Sequence, residues 1–93
     1  MAIESLNPAT GELIKTYTEW TDEQVAQTID AVHQTYLEWS TTSFAERKEP
    51  MLKAATVLRT RKDEFALMMA REMGKPISEG VGEIEKCALV CEY

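Results

Sequence analysis

In this 93-residue chain the residues best suited to nucleophilic or metal chemistry are Cys87 and Cys91. They stand four apart in a helical pattern, which puts both thiols on one face. Two thiols without further Cys or His nearby do not close a metal site, so buried helix-face cysteines are the simpler reading. His33, the one histidine, lies next to Val32 and would need partners to act as a base or ligand. It reads as an ordinary helix-surface or boundary residue. Gly80-Val81-Gly82 brings a dinucleotide loop to mind, but no strand pattern precedes it, and Glu85 stands where a third glycine would fall. Glu79, Glu83, Glu85 and Glu92 read as a solvated face, although two or three carboxylates near a cluster of carbonyls can hold a cation. Met51, Met68, Met69 and Met73 recur at helical spacing and read as core filling rather than an adaptable groove. Residue types and spacing alone define no active site.

The net charge of -6 and pI near 4.7 argue against nucleic acid or an anionic membrane as partner, since both need clustered Lys and Arg. Neither a basic leader nor an apolar run of membrane-spanning length is present, so the expected location is cytoplasmic, with reduced thiols. A chain this short is one small domain or a piece of a larger one.

The elements that must position these residues are well punctuated. Asn7-Pro8-Ala9-Thr10-Gly11 carries turn chemistry between two extended runs, which predicts a β-hairpin or extended arm over residues 2–18. Thr21-Asp22-Glu23-Gln24 fits a capping box, with Trp20 placed for a hydrophobic staple onto Val25. The helix it opens, about 21–40, has Val25, Ile29, Val32, Tyr36 and Trp39 at the three-and-four spacing of a single buried stripe. A second capping box, Ser43-Phe44-Ala45-Glu46, opens a helix over 43–73 with Met51, Ala55, Leu58, Phe65 and Met69 inward. Two features disturb it. Pro50 implies a bend, or a separate turn over 43–48, and Arg61-Lys62-Asp63-Glu64 implies a kink or break near 62–63 with Asp63 as an internal cap. Glu72-Met73-Gly74-Lys75-Pro76-Ile77 is a helix stop followed at once by a helix start. The last helix, 77–92, carries Ile77, Val81, Ile84, Ala88 and Cys91 on one stripe and is weakened by Gly80 and Gly82. It ends without a stop signal, which reads as truncation. The fold class expected is mainly α: three amphipathic helices after a short hairpin.

These motifs, in their order, resemble a known family. Asn7-Pro8-Ala9-Thr10-Gly11-Glu12, Trp39, Arg47, Asp63-Glu64-Phe65-Ala66, Glu72-Met73-Gly74-Lys75-Pro76-Ile77, Glu83-Ile84-Glu85-Lys86 and Cys91-Glu92-Tyr93 together resemble the N-terminal region of NAD(P)-dependent aldehyde dehydrogenases. Within that family the Glu-Met-Gly-Lys-Pro-Ile form, with Lys86, Cys87 and Cys91, is most similar to the succinate-semialdehyde dehydrogenase branch. Pro50 and the Gly80/Gly82 pair are less typical of it.

The resemblance implies that residues 1–93 are an N-terminal fragment of the cofactor-binding domain of a larger α/β enzyme. It also implies that the nucleophilic Cys, the general-base Glu, the oxyanion-hole Asn and the nucleotide-binding loop lie beyond residue 93. Cys87 and Cys91 are then structural. NAD or NADP serves the full-length parent, which would oxidise succinate semialdehyde or a similar aldehyde, and none is expected on the fragment. The resemblance further suggests a monovalent cation held by the Ser5 and Leu6 carbonyls and Glu83, in a shell completed from beyond residue 93. Apolar helix faces cut from their surroundings should drive self-association. The competing expectation is a stand-alone helical interaction or dimerisation module.

Overall fold

The computed structural model describes residues 3–93. Two strands, β1 (Ile3–Leu6) and β2 (Leu13–Tyr17), pair antiparallel, Ile3 opposite Tyr17 and Ser5 opposite Lys15, with an irregularity between Ser5 and Leu6 that leaves Leu6 opposite Leu13. Ala2, which the hairpin reading included, lies outside the described residues. The turn closes through its own polar groups. Ala9 N–H donates to Asn7 Oδ1 at 2.9 Å, Gly11 N–H to the Asn7 carbonyl at 2.7 Å, and Glu12 N–H to Thr10 Oγ1 at 3.2 Å. Gly11 takes φ +75°, which favours glycine.

Four helices follow: α1 (Asp22–Trp39), α2 (Phe44–Thr60), α3 (Lys62–Met73) and α4 (Ile77–Glu92). Both capping boxes form as their sequences require. Thr21 Oγ1 accepts from Gln24 N–H at 3.1 Å while Gln24 Oε1 accepts from Thr21 N–H at 2.9 Å. Ser43 and Glu46 exchange the same pair of bonds at 3.2 and 2.7 Å.

The 43–73 pattern divides into α2 and α3 at Arg61, whose φ of -106° and ψ of 16° leave the helical region. The break expected near 62–63 is thus displaced by a residue or two. Asp63 is not the cap, because α3 has no side-chain cap bond. Asp63 instead lies in the first turn with Glu64, where the helix dipole favours negative charge. Nor do residues 43–48 form a separate turn, since α2 runs through Pro50. Pro50 is on an exposed face, where water can reach the carbonyl that loses its donor.

The core is small and built from small side chains. Ala55 of α2, Ala66 of α3, and Ile84 and Ala88 of α4 are buried, with Leu58, Phe65 and Met69 half-buried around them. α4 packs against both α2 and α3, and β1 rests on α3. Of the methionines read as core, Met69 is half-buried whereas Met51, Met68 and Met73 are exposed. The outline is a slab of 47 × 37 × 14 Å, little thicker than one helix. Its radius of gyration of 17.4 Å compares with about 12 Å for a compact chain of this length. A single layer of helices leaves one face of each without a partner, and the stripe Val25, Ile29, Val32, Tyr36 and Trp39, expected to be buried, is exposed with the rest of α1 because no other element packs on it.

Candidate functional site

The best-organised region is the corner between α3 and α4, where the arm also arrives. Gly74 ends α3 in the left-handed conformation, φ 71° and ψ 18°, and its N–H donates to the Ala70 carbonyl at 3.0 Å. Pro76, at φ -54° and ψ 137°, then starts α4. Pro8 of the arm's turn reaches this joint: its Cγ would lie 3.4 Å from a Cβ on Gly74. Ser5 Oγ donates to Glu72 Oε1 at 3.2 Å, tying β1 to the last turn of α3. Two of the sequence's most distinctive stretches, 7–11 and 72–77, therefore meet in space.

Charge at the corner is balanced internally. The Lys75 ammonium donates to Glu83 Oε2, and that bond, ahead of the charge attraction itself, raises the Lys75 pKa above its ordinary value. Of the three residues proposed for a cation, Ser5 and Leu6 lie on β1 and Glu83 on α4. The described polar contacts join Ser5 to Glu72 and Glu83 to Lys75. Among the described residues no cluster of three or more His, Cys, Asp or Glu side chains could hold a metal ion.

A second charged group locks the helix layer. Glu85 accepts from Lys62 Nζ at 3.0 Å and from Arg59 Nε at 3.2 Å, and Arg59 also pairs with Glu92. The bond from Lys62, then that from Arg59, holds the Glu85 carboxyl below the usual range, while the bond to Glu92 raises Arg59. These pairs join both halves of the broken helix to α4. Glu85 and Glu92, expected as solvated acids, are tied down on one edge.

Gly80, expected only to weaken α4, is a contact point. It is buried, and a Cβ there would lie 3.1 Å from both Cα and Cβ of Ala66. Helices α3 and α4 approach so closely because neither has a bulky side chain at the crossing. Gly82 faces open space. Neither belongs to a strand-to-helix phosphate-binding loop, since both sit inside α4, which follows directly on the helix α3.

Cys87 is exposed rather than buried and Cys91 is half-buried, both free. Cys91 borders a shallow groove of about 460 Å³ with Phe44, Arg47, Lys48, Met51 and Leu52. His33 stacks on Tyr36, ring centroids 6.1 Å apart, on the surface of α1. Sequence reasoning missed the role of Arg47. Its Nη2 donates to the Trp39 carbonyl at 3.0 Å, its Nε to Thr42 Oγ1 at 2.8 Å, and its guanidinium lies 5.4 Å from the Trp39 ring. The signal available was the pairing of Trp39 with Arg47 eight residues on, across a Ser-Thr-Thr link.

The fold that carries this arrangement is shared with known proteins. The sequence model of the aldehyde dehydrogenase family matches residues 1–93, and the chain belongs to that family. It is similar to the probable succinate-semialdehyde dehydrogenase [NADP(+)] of Synechocystis, at 39% identity over 93 residues, all of this chain and 20% of that protein. Its identity to succinate-semialdehyde dehydrogenase [NADP(+)] 1 of Mycobacterium tuberculosis is 40%, with the same coverage. Succinic semialdehyde dehydrogenase from Streptococcus pyogenes, solved in complex with NADP+, superposes with a TM-score of 0.89 at 31% identity over 97% of this chain and 20% of its own. An NAD-dependent aldehyde dehydrogenase from Sinorhizobium meliloti gives 0.88 at 32% identity, covering all of this chain and 19% of its own. The chain thus spans about one fifth of the length of these relatives. The fold expected from sequence, helices after a short hairpin, is the N-terminal part of theirs. Among the described residues no helix is long and apolar enough to cross a membrane.

Proposed function

We propose that these residues are the N-terminal part of an NADP- or NAD-dependent dehydrogenase that oxidises succinate semialdehyde to succinate. The observation that carries this reading is 38–40% identity, over the whole chain, to relatives named for that reaction. In the complete enzyme a thiolate would attack the aldehyde, hydride would pass to the nicotinamide, and water would release the acid. The contribution of residues 1–93 is scaffolding: a layer of helices and an arm on the cofactor-binding domain. The 93-residue chain by itself should form no reduced nicotinamide cofactor, and we read its compartment as the cytoplasm. The same reading places a monovalent cation among Ser5, Leu6 and Glu83 only where further oxygens complete the shell. In this chain Lys75 already balances Glu83.

The test is a chimera in which this chain replaces the matching first fifth of the Synechocystis relative. Reduction of NADP by succinate semialdehyde close to the parental rate is expected. A folded, soluble chimera that oxidises no aldehyde would reject the scaffold role. The substrate is tested on the full-length protein that carries this chain: reduction of NAD or NADP with other aldehydes but not with succinate semialdehyde would reject it.

A second reading, self-association of the chain as given, is favoured by the single-layer form. Phe44 is 89% exposed, Ile29 and Val32 are each 63% exposed, and Trp39 is 47% exposed. Light scattering should give a mass above the 10.5 kDa of one chain.

A further inference from the structure

We draw no further inference here: the strongest candidate, the exposed apolar face of α1 from Val25 to Trp39, carries nothing, because the chain spans about one fifth of the length of its relatives and nothing in the structure shows what covers that face.

Discussion

Replacing Arg47 by Ala should open the elbow between α1 and α2 without unfolding the helix layer. Arg47 makes the side-chain contacts that hold α1 to α2 here: two hydrogen bonds, to the Trp39 carbonyl and to Thr42 Oγ1, and a ring contact with Trp39. An exposed cation–π contact contributes about 0.5–1 kcal/mol and a net hydrogen bond about 1 kcal/mol. Because the carbonyl bond is exposed and water can replace part of it, a total of about 1–2 kcal/mol is reasonable. The loss is local, since α1 contributes nothing to the core. It should appear as faster hydrogen exchange, by about 5- to 30-fold, at the amides of Ser40, Thr41 and Thr42, which bond back to Tyr36, Glu38 and Trp39. Arg47→Lys keeps the charge but not the planar fork, so it should recover less than half the protection. Unchanged exchange at these amides in Arg47→Ala would refute the pinning role. So would an equal acceleration at Ile84 and Ala88, which would mean that the whole layer had been loosened instead.

The two glycines of α4 should respond in opposite directions. Gly80→Val puts atoms into the backbone of Ala66 and should lower the melting temperature by several degrees, whereas Gly82→Ala meets open space and should raise it by roughly 4 °C through helix propensity. Acid should weaken the α2–α3–α4 layer: the Glu85 pKa is depressed in the folded state, so its contribution is present above the unfolded value and is lost as pH falls through the folded one. Glu85→Gln should flatten that dependence in pH-scanned thermal melts, and an unchanged slope would count against it. Lys75 is raised, so its contribution holds below the unfolded pKa and fades only as pH climbs through the folded one. Lys75→Met should remove that alkaline loss.

Much of the architecture was legible because it is written in local chemistry. Both capping boxes, the Gly74 stop and the Pro76 start act within a few residues, and each formed where its sequence places it. The break in the long helix was legible as a loss of apolar periodicity at Arg61-Lys62-Asp63-Glu64. Its location was less so, because Asp63 suits both a cap and a first turn. Pro50 misled, since near the start of an exposed helical face it removes one bond that water can replace.

What local chemistry did not disclose is which stripes would be covered. The stripe from Val25 to Trp39 and the stripes of α2 and α3 on either side of the break all have helical spacing, yet only those of α2 and α3 are packed, because α4 turns back over them at the Gly74 corner. Nothing within α1 separates these cases; the difference lies in where the next helix returns. The corner itself explains the return. The arm's Pro8 against Gly74, the Ser5–Glu72 bond and the Lys75–Glu83 pair all lie at the place where α3 reverses into α4. Beyond it the close approach at Gly80 sets the spacing of the two helices, and Glu85 fixes the far edge through Lys62 and Arg59. The candidate site is therefore mechanical rather than chemical. It forms a rigid elbow of three helices and leaves α1, beyond the Arg47 pin, exposed along its length.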